Sequence, residues 1–311
     1  MRVTTFGMTQ TYLTNLQSVM SQYQKDQLQL TTGKSINQPS DNPVGFSSDM
    51  LTKSLLNNVS VWQGNAQTAL SDMQVTGGAL TNLQSVLGNI RTQIVQAANG
   101  TNTAEDLNNT ASVVKNYIES VQQIANTTNG STYIFAGNQG TNQPLTADVT
   151  TLASPPTTSI WQGDSQPQST YIGKNVKLQT NVDGTTVFNT APSGGTSLLT
   201  TLYNLYQHLK GANASNLAIV TSNLQTDLSN LDMNISQVSS TQAQLGGRMD
   251  RAKSAVSQLS QMTLTLKAQQ SQTEDANMAQ VTTDLMTQQT LYQAALQSGS
   301  KMILPTLASV L

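Results

Sequence analysis

The sequence predicts a mainly α protein: a long antiparallel helical bundle or coiled coil built from both chain ends, with a small β-rich inserted domain. Three observations predict it. Heptad-spaced apolar residues mark both ends, two longer heptad series run through residues 59–97 and 217–266, and the stretch 131–197 changes to short β-branched and aromatic runs broken by Gly and Pro.

At the amino end, Leu13, Leu16, Met20, Tyr23 and Leu30 alternate steps of three and four with one lapse at Gln27, so one helix face is apolar. Val281, Leu285, Tyr292, Leu296 and Ile303 form a similar stripe at the other end. Neither series offers enough apolar surface to offset the ordering of a lone helix. These ten residues are the candidate assembly interface, and both ends are expected to order only when neighbouring copies bury them together.

Between them, a polar turn around Gly33, Pro39 and Pro43 ends the first helix, and Asn42 can cap the second with Pro43 in its first turn. Val59, Ala66, Met73, Leu80, Leu87 and Ile94 then recur every seven residues, with Trp62, Ala69, Leu83, Ile90 and Ala97 as companions and an interruption at Thr76. A helix from about 44 to 98 is roughly 80 Å long. Gly77 and Gly78 within it predict a local bend or a close helix approach.

Thr103 and Asp106 read as a capping box opening a shorter helix to about Asn126. In the insert, Val176, Leu178, Thr180 and Val182 alternate toward Asp183-Gly184 and on to Thr186 and Phe188, as in a hairpin turning at 183–184. Helical patterning resumes at Leu198. Leu217, Leu224, Leu231, Val238, Leu245, Ala252, Leu259 and Leu266 follow at a spacing of seven, and the long helices are expected to pair antiparallel as a rod. The expected organisation is a terminal assembly domain (1–40 and 271–311), a long-helix domain (41–130 and 198–270) and an exposed β-rich insert (131–197).

Composition narrows the function. Charged residues are only 10% of the 311, against about a quarter in ordinary globular proteins, and Thr, Gln, Asn and Ser take their place. A net charge of −2 gives no field to gather nucleic acid or anionic lipid. No stretch approaches the roughly twenty apolar residues of a membrane span. Met1 to Phe6 opens without an apolar signal core, so export without a cleaved signal is expected.

Candidates for chemistry are poor. Cysteine is absent and His208 is the single histidine, so neither a nucleophilic relay nor a metal cluster can be assembled from them, and His208 reads as a packing or surface residue. Gly33, Lys34 and Ser35 resemble the end of a phosphate loop, but position 28 is Leu28 where that motif needs Gly. Glu105 with Asp106, and Glu274 with Asp275, read as acids complementing helix starts, and Trp62 and Trp161 as packing anchors. No catalytic, cofactor-binding or metal-binding residue is expected.

The run Thr32 to Pro43 (TGKSINQPSDNP), the segment Ile124 to Gly137 (IANTTNGSTYIFAG), and the pair Glu274 to Ala279 and Gln289 to Leu296 occur in an order similar to the flagellin superfamily, in its hook-associated protein 3 branch. The likeness spans about 1–137 and 198–311, and touches the insert only through Trp161, Gln162, Gly163 and Asp164. Asn42 and Asn277 stand where that family usually has Asp, and Pro305 is expected to bend the last residues away from the final helix.

The resemblance implies a flagellin-like, non-enzymatic structural subunit of the bacterial flagellum, lying outside the cell at the hook–filament junction. It implies a homo-oligomeric ring or helical layer, a hook-side junction protein and flagellin as neighbours, and a flagellar export chaperone over the carboxyl end. Flagellin itself is the nearest alternative. A secreted coiled-coil adhesin displaying the insert is an alternative of another class.

Overall fold

The computed structural model describes residues 2–156 and 160–303, with side-chain settings over 6–156 and 160–299. Pro305 therefore lies outside the described residues, and so does the side chain of Ile303.

Among the described residues six α-helices follow in chain order: α1 (Arg2–Thr32), α2 (Pro43–Ala97), α3 (Ala104–Ala125), α4 (Leu198–Lys210), α5 (Leu217–Glu274) and α6 (Met278–Ile303). Between α3 and α4 lie two antiparallel two-stranded ladders, β1 (Thr128–Asn129) with β2 (Thr132–Tyr133) and β3 (Ser169–Gly173) with β4 (Val176–Gln179). The chain divides into two compact units, one of residues 1–60 and 261–311 and the other of residues 61–260, and α2 and α5 supply residues to both.

The 61–260 unit realises the strict heptads. Met73, Leu80, Leu83, Leu87, Ile90 and Ile94 of α2 are fully buried, as are Leu224, Leu231 and Val238 of α5. The two helices run antiparallel. Gln242 Nε2 donates to Thr81 Oγ1 at 2.9 Å, Gln84 Nε2 to Ser239 Oγ at 2.9 Å, and Arg91 reaches Asp232 at 2.6 Å, so positions rise on one helix as they fall on the other. Thr76, the lapse in the heptad, is buried because its hydroxyl donates to the Asp72 carbonyl at 3.0 Å and leaves its methyl to the core. A Cβ on Gly77 would lie 3.8 Å from Leu245 Cδ2, an ordinary contact distance, and one on Gly78 would meet nothing within 4 Å, so neither glycine is required by a close helix approach.

The other elements of this unit follow local chemistry. Thr103 and Asp106 form a complete capping box on α3, and the two hydrogen bonds from Thr103 hold the Asp106 carboxyl below its usual range. Leu107, Val114, Ile118 and Val121 line the buried face of α3. Ser197 caps α4, accepting from Thr200 N–H at 3.4 Å. His208 on α4 is held by an interaction that the sequence did not disclose: its Nδ1 lies 2.6 Å from Oδ2 of the buried Asp227 on α5.

The insert departs from the expected hairpin. β4 pairs backward with β3 through Lys174-Asn175, where Asn175 adopts φ 61, instead of forward across Asp183-Gly184. The forward turn fails because Asp183 accepts from Thr185 N–H at 2.9 Å and from Thr186 Oγ1 at 2.6 Å, which coils Thr185–Asn189 into a single π-helical turn. That turn carries Phe188 into a small aromatic core. Trp161 stacks on Phe188 with centroids 5.3 Å apart, Phe135 meets Phe188 edge-on at 5.2 Å, and Trp161 Nε1 donates to Thr185 Oγ1 at 3.1 Å. A Cβ on Gly184 would fall 2.8 Å from both Phe135 Cβ and Trp161 Cζ2, so only glycine fits there.

Candidate assembly surface

The unit made of the two chain ends pairs α1 with α6 antiparallel. Tyr12 Oη donates to the Ala295 carbonyl near one end of α1, and at the other end Ala276 N–H donates to the Gly33 carbonyl at 2.9 Å. The less exposed positions of α1 include Tyr12, Leu16, Val19, Tyr23, Asp26 and Leu30, which alternate steps of four and three. On α6 they include Val281, Leu285, Gln288, Tyr292, Ala295 and Gly299. Gly299 leaves room for the Tyr12 ring, against which a Cβ would stand 2.7 Å from Cζ.

This seam divides the predicted residues. Leu16, Tyr23, Leu30, Val281, Leu285 and Tyr292 lie on it, partly or fully buried. Leu13, Met20 and Leu296 do not; each is exposed by 46% on an outward position. They join Phe6, Met8, Leu28, Met286 and Leu291, which gives both helices an apolar outer face that nothing among the described residues covers. The spacing places the apolar residues on two adjoining faces, and the chain itself buries one of them.

Where α1 turns into α2, the chain meets the joint between α5 and α6. Gly33, at φ 72, ends α1, and its N–H reaches back to the Gln29 carbonyl at 2.9 Å. Ser35 N–H donates to the Glu274 carbonyl at 2.7 Å, and Lys34 bridges to Asp275 as an isolated antiparallel pair. Asn42 and Asn277 cap α2 and α6, accepting from Gly45 N–H at 3.0 Å and Gln280 N–H at 3.3 Å, so Asn performs here what Asp would.

Glu274 corrects one sequence expectation. It is the last residue of α5, at the end where the macrodipole disfavours an acid, and so does not complement a helix start. Instead its carboxylate accepts from Lys34 Nζ at 2.5 Å, Lys53 Nζ at 2.9 Å and Gln270 Nε2 at 3.0 Å. Burial alone would raise its pKa, but the donors Lys34, Lys53 and Gln270 hold it down to about 2. Hydrogen bonds to Asp49 and Glu274 in turn raise Lys53 above its usual range. Lys25 closes the turn against Asp41 at 3.2 Å; burial would raise that carboxyl too, but the Asn37 and Gln38 N–H groups and Lys25 bring it below its ordinary value.

This arrangement can hold helices together and present apolar surface. Among the described residues, no group of three His, Cys, Asp or Glu is placed to hold a metal ion, and no helix is long and apolar enough to cross a membrane.

Comparisons with known proteins agree with this geometry. The model of the bacterial flagellin N-terminal helical region matches residues 3–140, and that of the C-terminal helical region matches residues 228–302. The chain is 25% identical over 285 residues to a flagellin of Bacillus subtilis (strain 168), covering 91% of this chain and 90% of that one. It is 26% identical over 149 residues to flagellar hook-associated protein 3 of Escherichia coli (strain K12), covering 48% of this chain and 47% of that protein. A flagellin of Clostridium tyrobutyricum is 32% identical over 103 residues, 33% of this chain but only 27% of the length of that relative. Among solved structures, the flagellar hook associated protein-3 of Legionella pneumophila superposes with a TM-score of 0.62 at 16% identity, over 71% of this chain and 97% of that one.

Proposed function

Because this chain belongs to the flagellin family, both of whose helical regions it carries, we propose that it is a structural subunit of the bacterial flagellum that forms the junction between hook and filament. The observation that carries the junction reading is the stretch that ends α3 and leads into the insert. The stretch Ile124–Gly137 builds the β1–β2 turn and delivers Phe135 to the aromatic core, in a chain that overlays nearly all of a solved hook associated protein-3. The uncovered apolar faces of α1 and α6 give this subunit its way to assemble. Several copies lay them against one another in a ring or helical layer, and the ends complete their folding as they are buried.

In this reading an export chaperone covers the carboxyl end on the way out of the cell, and the two axial neighbours of the subunit are the hook-side junction protein and flagellin. Its contribution is mechanical and involves no catalysis. The long match to a Bacillus subtilis flagellin supports a second reading as the filament subunit. Deleting the gene separates the two. Intact hooks with flagellin released as monomer into the medium are expected for a junction subunit, whereas loss of the flagellin band itself would make this chain the filament protein.

A further inference from the structure

The chain-end unit contains three buried acids that differ in what answers their charge. Glu274 accepts from two ammonium groups and an amide. Asp49 Oδ1 meets no donor among the described residues, but its Oδ2 holds the Lys53 ammonium at 2.6 Å. Asp26 is 3% exposed, accepts at Oδ1 only from the neutral Gln22 amide at 2.8 Å, and its buried Oδ2 meets no donor among the described residues.

Its position gives this deficit a consequence. Asp26 occupies the same face of α1 as Tyr23 and Leu30, at the one step of the four-three alternation where the seam along α6 carries a charge. A carboxylate withdrawn from water and answered by a single neutral donor opposes closure of the helix pair, where an apolar residue of similar size would favour it. A polar residue in an otherwise apolar helix seam trades stability for control of the paired state.

We propose that Asp26 is a built-in weak point that prevents the α1–α6 pair from closing firmly in the single subunit, so that firm closure waits for the burial added by other copies. This inference rests on the assembly reading above. The unpaired oxygen is already buried within the described chain, so Asp26 acts through closure of the ends. The weak point also keeps the ends ready to open.

Hydrogen exchange on the full-length chain, at a concentration where it is monomeric, tests this in the wild type, Asp26→Leu and Asp26→Asn. Amides of residues 16–30 and 281–295 are expected to exchange at least tenfold more slowly in Asp26→Leu. In Asp26→Asn, which keeps the size and removes the charge, they are expected to slow severalfold, with residues 80–94 unchanged in both variants. Unchanged or faster exchange at the chain ends in both variants overturns the proposal; if Asp26→Leu self-associates, Asp26→Asn decides by the same criterion. The gene-deletion phenotype does not enter this readout, so failure of the weak point and failure of the junction role are told apart.

Discussion

In the 61–260 unit Leu80, Leu83, Leu87, Ile90 and Ile94 have no exposed surface, whereas in the chain-end unit Phe6 keeps 75% and Met286 64% of theirs. Both units are made of helices with apolar residues at heptad spacing, yet only one covers them from its own chain. The difference lies in how many helices surround each apolar stripe. α2 in the first unit is covered by α5 and shares its core with α3 and α4, while α1 in the second has α6 on one side and leaves its other apolar face bare. A heptad thus encodes a partner without stating whether the partner is in the same molecule.

Substitutions should bring out this contrast, and the largest effect is on assembly. Leu296→Asp places a charge on the uncovered face, so it should abolish assembly, seen as missing filaments by electron microscopy, while thermal stability of the isolated subunit stays within about 0.5 kcal/mol. Normal flagella in that variant would mean that this face is not used. Leu87→Ala should act in the opposite place. It empties a site with no exposed surface and should cost about 2–5 kcal/mol in denaturant unfolding of the isolated subunit, with α1 and α6 unaffected.

Glu274→Gln should cost about 1–2 kcal/mol, a figure reduced because both lysines are about two-fifths exposed, and faster amide exchange around residues 33–36 and 274–277 should report it. Its pH dependence has a definite sign. The folded carboxyl is depressed from 4.5 to about 2, so its stabilisation is complete above about 4.5 and lost as pH falls toward 2, while the Gln variant lacks this dependence. The smallest effect belongs to Thr103→Ala, which removes one cap of α3 and should cost about 1 kcal/mol by thermal unfolding.

The parts legible in the sequence are those whose signal is local or strictly periodic. The buried α2 and α5 positions follow the seven-residue spacing, and the caps at Asn42 and Thr103 are formed by neighbours three residues apart. At the chain ends the three-four spacing spans two faces of α1: Leu16, Tyr23 and Leu30 lie on the seam with α6 and Leu13 and Met20 on the outer face, while the step at Asp26 escapes a count of apolar residues alone.

The Lys34–Glu274–Lys53 cluster and the His208–Asp227 pair were illegible for another reason. Each joins side chains distant in sequence, and no local pattern pairs one such group with its partner. In the insert, the Asp183-Gly184 dipeptide has the composition of a hairpin turn. The Asp183 side chain instead captured Thr185 and Thr186 and wound them into the turn that carries Phe188.

Limited proteolysis of the purified full-length subunit in dilute solution tests most directly whether the chain ends depend on other copies. Cleavage should concentrate in residues 1–60 and 261–311 and leave a resistant fragment close to 61–260, with the terminal sites becoming protected once the subunit is assembled. A dilute subunit resistant through residues 12–30 and 281–299 would contradict that dependence.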